Sequence, residues 1–443
     1  MSPMHVELFF DFSCPYAYLA STRIEALCAA AGAELTWRPM LLGGVFRSLW
    51  NGPEPMARMG PAKARHTELD MQRWAARWGV PLRRPAAHPM RTVRALRALL
   101  AVDERHWPAL IHGVYRAYWQ RGDDITDPGV VRAVLTEAGL GPESIARAME
   151  AHDDPAIKEE LRRRTEEAVS RGVFGAPTMF VHRDDAGDPL MFWGQDRLHL
   201  VEAALAGWRP GHGPAPRRAS TPTPSAAERE AEARPTLHFW YDFSSPFAYL
   251  AATQIEAVAA NAGARLVWQP MLLGAVFKQI GTANVPLFDM PEAKRRYMNA
   301  DLGHWASYWG QPFRFASRFP MRTVTALRLA LLAGDRIGPL SLALFRALWT
   351  DDRDIDDADT LADILTKEGF DAAAMLAGTQ DPALKQRLID QTTTAVEAGV
   401  FGAPTTIIEP AGAATTDTAD RLYWGQDRLN LVEDRARELA RAG

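Results

Sequence analysis

Cys14 and Ser245 occupy the same place in two nearly identical stretches. Asp11-Phe-Ser-Cys14-Pro-Tyr-Ala-Tyr-Leu-Ala20 returns 231 positions later as Asp242-Phe-Ser-Ser245-Pro-Phe-Ala-Tyr-Leu-Ala251. In each, an apolar run ends, a turn follows, and Pro opens a helix at a position that suits it. A residue just before a helix faces unpaired backbone N–H groups and the positive end of the dipole, which together stabilise an anion. A thiolate at Cys14 is therefore expected to have a depressed pKa and to be present at neutral pH. A serine hydroxyl stays protonated without a strong base beside it, and no His/Asp arrangement supplies one. Ser245 is read instead as a hydrogen-bond donor to a thiolate carried by a thiol cosubstrate. The plain alternative is that both residues are N-caps, for which Ser is well suited.

The cysteine inventory narrows the chemistry. Cys14 and Cys28 are the two cysteines of the 443-residue chain, so no disulfide framework is expected. The third residue after Cys14 is Ala17, and after Ser245 it is Ala248. A Cys-x-x-Cys resolving pair is thus missing, which disfavours dithiol cycling. Cys28 is expected to pack as a small apolar residue along the helix.

Other repeated motifs offer ligand contacts. Ala176-Pro177 and Ala403-Pro404 end the two copies of Gly-Val-Phe-Gly-Ala-Pro and precede an apolar strand. A cis bond there would present the Ala backbone for pairing with an extended peptide; the bland reading is a turn proline. Gln195-Asp196 and Gln426-Asp427 follow a shared Trp-Gly and are expected to begin the last helix. Either carboxylate would cap that helix or bind an ammonium group. Lys63 is a candidate for a ligand carboxylate, against the commoner fate of a solvated lysine. The eleven His residues show no metal-ligand spacing, so no metal is expected. Arg91, Arg94 and Arg97 read as a solvated helix face.

The elements that must hold these residues follow from the same repeat. A period this long is a duplicated domain, not a solenoid. The expected division is residues 1–208, a Pro-rich linker over 209–235, and residues 236–443. Each copy is about 205 residues, large enough to bury its own core. In the first, Val6–Phe10 reads as a buried strand, a helix follows to near Gly32, and Glu34–Arg38 alternates as a second strand. From about residue 55 to 171 the pattern is helical, with Val93, Leu96, Leu99 and Leu100, then Val130, Val131, Val134 and Leu135, at helical spacing. Two further strands and a helix close the copy. That order, β-α-β, a helical insert, then β-β-α, predicts an α/β fold of two tandem thioredoxin-like domains, each with a long all-helical insertion.

A net charge of −4 with dispersed basic residues argues against a nucleic-acid or membrane surface as the main partner. No apolar run reaches the length of a membrane span and no signal-peptide layout opens the chain, so a cytoplasmic protein is expected.

Four motifs in order resemble a known family: Asp-Phe-x-Ser-Pro-x-x-Tyr-Leu, Trp-x-Pro-x-Leu-Leu-Gly-Gly, Val-Phe-Gly-x-Pro-Thr and Trp-Gly-x-Asp-Arg-Leu. Together they look like 2-hydroxychromene-2-carboxylate isomerases and the kappa-class glutathione transferases, in the DsbA-like branch of the thioredoxin superfamily. The resemblance covers both copies and implies glutathione as cosubstrate. It implies that Ser245, with Cys14 at the matching place, holds the glutathione thiolate. Ala176-Pro177 and Ala403-Pro404 would pair with the cysteinyl backbone, and Gln195-Asp196 and Gln426-Asp427 would hold the γ-glutamyl group. Asn51, Lys63 and Lys294 match positions that bind the ligand and its glycine end; Thr282 stands where Asn51 would recur, with Asn284 nearby. The family is generally dimeric, so the two copies are expected to form a pseudo-dimer within one chain.

The implied activity is a glutathione-dependent isomerase of aromatic catabolism, converting 2-hydroxychromene-2-carboxylate to trans-o-hydroxybenzylidenepyruvate or a similar conjugated carbonyl compound by reversible thiolate addition. Alternatives in the same fold are glutathione transfer, or monothiol–disulfide exchange at Cys14. A non-catalytic thiol-peptide binding module is a third reading. Phe46, Trp50 and Trp78 would line a pocket for a flat substrate, or simply belong to the core.

Overall fold

A computed structural model describes residues 4–50, 59–183, 187–215, 234–283, 286–412 and 419–442. They fall into two compact units, one of Met1–Arg58, Met71–Arg209 and Pro291–Asp301, the other of Met59–Asp70, Pro210–Met290 and Leu302–Gly443.

Unit 1 is built on a four-stranded sheet of order β2-β1-β3-β4, from β1 (His5–Phe10), β2 (Glu34–Pro39), β3 (Thr178–His182) and β4 (Leu190–Trp193). β1 is central, parallel to β2 and antiparallel to β3. Every residue of β1 after His5 is buried, as expected of a strand covered on both faces. Helix α1 (Pro15–Ala31) starts at Pro15 and ends at Gly32, whose φ of 65° lets its N–H reach the Ala29 carbonyl. The crossover after β2 carries α2 (Leu42–Leu49), α3 (Pro61–Trp78), α4 (Val93–Leu100), α5 (Trp107–Arg116), α6 (Pro128–Glu137), α7 (Pro142–Glu150) and α8 (Pro155–Ser170). After β4 come a 3₁₀ turn at Gln195–Arg197 and α9 (Leu198–Leu205). Asp127 and Asp154 cap α6 and α8 through the N–H groups of Gly129 and Ala156, the Asp-Pro arrangement that suits a helix start.

Two aromatics of the insert brace the opening turn. α5, which carries Tyr115, runs into a π-helical turn at Ala117–Arg121, which carries Trp119. Trp119 Nε1 donates to the Phe12 carbonyl at 2.9 Å, and Tyr115 Oη to that of Asp11 at 3.3 Å.

Unit 2 repeats the plan with β5 (Thr236–Tyr241), α10 (Pro246–Ala262), β6 (Arg265–Pro270), α11 (Leu273–Gln279), α12 (Glu292–Tyr308), α13 (Val324–Leu332), α14 (Ile337–Trp349), α15 (Ala358–Lys367), α16 (Ala372–Gly378), α17 (Pro382–Glu397), β7 (Thr405–Glu409), β8 (Leu422–Trp424) and α18 (Leu429–Ala442). Its sheet order is β6-β5-β7-β8. Trp349 Nε1 donates to the Phe243 carbonyl at 2.8 Å, as Trp119 does in unit 1.

The domain order therefore agrees with the sequence pattern, and three local readings differ. Residues 210–215, expected as linker, belong to unit 2, where the Gly211 N–H donates to Ser307 Oγ at 2.8 Å and Ala215 is buried; positions 216–233 lie outside the described residues. Arg97 is half-buried and reaches the His152 carbonyl instead of standing in solvent. The last helices begin at Leu198 and Leu429, two residues after Asp196 and Asp427. No helix among the described residues is long and apolar enough to cross a membrane.

Candidate active site

The turn between β1 and α1 is fixed by a buried acid. Asp11 accepts the Ser13 N–H at 2.9 Å and, across the crossover, the Leu42 N–H at 2.7 Å. Asp242 does the same with Ser244 at 2.9 Å and Leu273 at 2.8 Å, and takes the Thr323 hydroxyl at 2.8 Å. Burial raises both carboxyls above their ordinary range, against these hydrogen bonds. The acid holds the turn, and with it the residue that starts the helix.

Cys14 and Ser245 are those residues, both in extended backbone as N-caps of α1 and α10. Cys14 Sγ donates to the Ala176 carbonyl at 3.1 Å. Ser245 Oγ donates to the Ala403 carbonyl at 2.9 Å and accepts the Ala248 N–H at 3.1 Å. The opening motif and the Ala-Pro bend thus meet at one point in each unit. Both Ala-Pro bonds are cis.

The two atoms differ in character. Burial pushes the Cys14 thiol up to about 12, while the Ala17 and Tyr16 N–H groups act against it. This reverses the expected thiolate: the side chain is only 7% exposed, and loss of hydration outweighs the helix N-terminus. Cys28 is also buried, on α1, with its thiol pushed up to about 12, as its apolar role requires.

The Trp-Gly-Gln-Asp-Arg motif closes the site from the β4 side. Thr178 pairs with Trp193 across β3 and β4, and the Gly194 N–H donates to the Pro177 carbonyl at 3.0 Å; Gly425 and Pro404 repeat this at 2.9 Å. A Cβ on Gly175 would lie 2.6 Å from Trp193 Nε1, and one on Gly402 would lie 2.5 Å from Trp424 Nε1. The glycine before each Ala-Pro is therefore a space requirement of the tryptophan. Asp196 does not cap α9; its carboxylate pairs with Arg197 at 2.9 Å, and Asp427 pairs with Arg428 at 3.1 Å. The buried Nε2 of Gln195 and of Gln426 has no partner among the described residues.

Each unit adds a helical segment to this wall. In unit 1, Arg197 forks onto Asp301 at 2.9 and 2.8 Å, and the Trp193 N–H donates to Tyr297 Oη at 2.9 Å. Lys294 Nζ stands 5.1 Å from the Trp193 ring centre and 5.8 Å from that of Trp50, a cation–π geometry. In unit 2, Arg428 forks onto Asp70 at 2.6 and 3.0 Å, and the Trp424 N–H donates to His66 Nε2 at 3.2 Å. Lys63 Nζ stands 4.9 Å from the Trp424 ring centre, and burial lowers its pKa. The lysines are thus wall residues and not solvated ones. Lys63 stands in the unit of Ser245, and Lys294 in the unit of Cys14.

Of the remaining expectations, Asn51 and Asn284 lie outside the described residues. Trp78 packs on Trp74 and under Arg23, 4.9 Å from its ring centre, which makes it a packing residue. Sequence reading passed over Asp11 and Arg197 and their counterparts Asp242 and Arg428, although each sits inside a quoted repeat. It also passed over the Lys63, His66, Asp70 set and its counterpart Lys294, Tyr297, Asp301; their i, i+3, i+7 spacing on one helix face was the available signal. Among the described residues no group of three or more His, Cys, Asp or Glu is placed to hold a metal.

Comparison with known proteins finds the DSBA-like thioredoxin domain twice, over residues 5–206 and 236–437. The chain belongs to the DSBA-like thioredoxin family. Among its DSBA-like relatives is 2-hydroxychromene-2-carboxylate isomerase of Sphingobium xenophagum, 30% identical over 200 residues, or 45% of this chain and 97% of that enzyme. Glutathione S-transferase kappa 1 of Homo sapiens is 29% identical over 215 residues, 46% of this chain and 91% of the other. A solved structure of a 2-hydroxychromene-2-carboxylate isomerase is 27% identical, covering 46% of this chain and 95% of its own, with a TM-score of 0.40. The two relatives compared by sequence each match about half of this chain, in keeping with the two matches of the family domain.

Proposed function

We propose that the protein is a glutathione-dependent isomerase acting on a conjugated carbonyl intermediate of aromatic catabolism, of the 2-hydroxychromene-2-carboxylate type, with unit 2 as the working site. The observation that carries this reading is Ser245, whose hydroxyl lies at the start of α10 and donates to the Ala403 carbonyl at 2.9 Å. That hydroxyl can turn from the carbonyl to a sulfur anion brought to the same point, where the dipole of α10 also favours negative charge. Bound there, glutathione would supply a thiolate that adds to the conjugated system, giving a rotatable single bond until elimination restores the double bond.

The rest of unit 2 supports the same ligand. The Ala403 backbone at the cis bend is suited to pair with the cysteinyl residue of the tripeptide. The orphaned Gln426 Nε2 and the Asp427 carboxylate are suited to its γ-glutamyl end, and Lys63 to a carboxylate. In unit 1, Ala176-Pro177, Gln195-Asp196 and Lys294 offer corresponding contacts, but a protonated Cys14 there gives monothiol exchange no support. Glutathione transfer differs from isomerisation only in whether the adduct is released.

The test is a spectrophotometric assay with 2-hydroxychromene-2-carboxylate, with and without glutathione, on the full chain and on Ser245→Ala. A glutathione-dependent change that falls at least about tenfold in the variant is expected, the size of one charge-assisted hydrogen bond. Turnover that is indifferent to glutathione or to Ser245 overturns the reading.

A further inference from the structure

The two units fill one region of the fold differently. In unit 1, Glu7 on β1 is buried at the centre of a charge cluster. It accepts Arg38 Nε at 2.6 Å, pairs with His182 Nε2 at 2.7 Å, and is gripped by Arg171. The Arg171 guanidinium lies over the rings of Phe9 and Phe180, 5.1 and 4.5 Å from their centres. The cluster and its two rings occupy the sheet face beside the end of α8.

In unit 2 the matching positions are His238, Gln269, Glu409, Ala398, Trp240 and Ile407. With Ala398 in place of Arg171, no guanidinium reaches across from the end of α17. A groove of about 750 Å³ opens between the sheet and α17.

We propose that this groove binds a small planar aromatic compound carrying one anionic group. Its volume is within the range of small-molecule sites, roughly 300–1,000 Å³. Trp240 and Ile407 give it an apolar floor able to take a flat ring. Trp240 is 4% exposed, and its indole N–H has no acceptor among the described residues. A buried donor left unpaired is costly.

The charge of the ligand follows from the polar wall. Glu409 is paired with His238 at 2.8 Å, and Asp390 accepts from Gln386 at 2.7 Å. Arg387 has no carboxylate partner among the described residues, its Nη1 reaching the Leu331 carbonyl at 3.3 Å. Arg421 lines the same wall, and Asp390, whose partner Gln386 is neutral, keeps its charge; the Arg387 guanidinium above the apolar floor is the group that matches one carboxylate on an aromatic ring. The groove involves none of the Ser245 contacts, so this inference stands apart from the isomerase reading.

The test uses the full chain and 2-naphthoate, with 2-naphthol as the uncharged control, in equilibrium dialysis. The double variant Ala398→Arg/His238→Glu restores the counterparts of Arg171 and Glu7, two of the four charged residues of the unit 1 cluster, and should reduce naphthoate binding at least tenfold by filling the groove, while Ser245→Ala binds as the parent does. Arg387→Gln, an exposed change that leaves the core intact, should weaken naphthoate about tenfold and leave naphthol unchanged. Naphthoate binding that ignores Arg387→Gln, or the absence of saturable binding to the parent chain, overturns the proposal.

Discussion

At positions 14 and 245 a sulfur and an oxygen occupy equivalent caps, and their surroundings set what each can do. The Cys14 thiol is buried and titrates near 12 in place of the usual 9. Iodoacetamide should therefore alkylate native Cys14 at pH 7 at least a hundredfold more slowly than an exposed cysteine, on the order set by the missing thiolate. A labelling rate at or above that of free cysteine contradicts the buried thiol. The linkage has a definite sign: a folded pKa above the unfolded one favours the fold fully below pH 9, and this contribution is lost as pH rises toward 12. Cys14→Ser should flatten the alkaline limb of the stability–pH curve, measured by chemical denaturation. The opening motif made both caps legible in the sequence. The protonation of Cys14 was not legible, because helix-terminus electrostatics is local in sequence while desolvation comes from residues as far away as Tyr115 and Ala176.

Among elements, alternation and helical spacing revealed β1, α1, β2 and the insert, since each buries a face whose period is written in consecutive residues. The short pieces were less legible. The 3₁₀ turns at Gln195–Arg197 and Gln426–Arg428 have no period, so the pairing of Asp196 with Arg197 and of Asp427 with Arg428 was not legible beside the cap and ammonium-binding readings. The contact between the Ala-Pro bend and β4 yields a sharp prediction. Gly175→Ala places a methyl 2.6 Å from Trp193 Nε1, and overpacking of this kind costs roughly 1–3 kcal/mol. A thermal scan should show a lowered transition; an unchanged one means that the indole moves aside freely. The β1 charge cluster makes unit 1 acid-sensitive. Burial alone would raise the Glu7 carboxyl, but Arg171 and His182 outweigh it and bring the pKa to about 2, from 4.5. Its contribution is complete above pH 4.5 and is lost as pH falls through 2. Glu7→Gln should remove this part of the acid unfolding profile.

At the scale of the whole molecule, the units do not follow the repeat boundaries. Residues 59–70 count with the unit of Ser245, and residues 291–301 with that of Cys14. The repeat pattern could not reveal this: Lys63, His66 and Asp70 match Lys294, Tyr297 and Asp301 whichever unit each set joins. Both arginine–aspartate forks are buried, with side-chain exposures of 7% and 1% for Arg197 and Asp301, and 13% and 2% for Arg428 and Asp70. Removing Asp301 or Asp70 leaves each arginine with only its neighbouring carboxylate, Asp196 or Asp427, so the cost is a part of the roughly 3–5 kcal/mol of a buried charge left wholly unpaired. Asp70→Asn should therefore weaken unit 2, and with it the activity that depends on Ser245, although position 70 is numbered in the first repeat. Asp301→Asn should weaken unit 1 and leave that activity in place. The measurement is a pair of experiments on each full-length variant: differential scanning calorimetry, to see which transition falls, and the glutathione-dependent assay. If activity were lost with Asp301 and retained without Asp70, the working site would lie with Cys14, and the assignment of the units' roles would have to be exchanged.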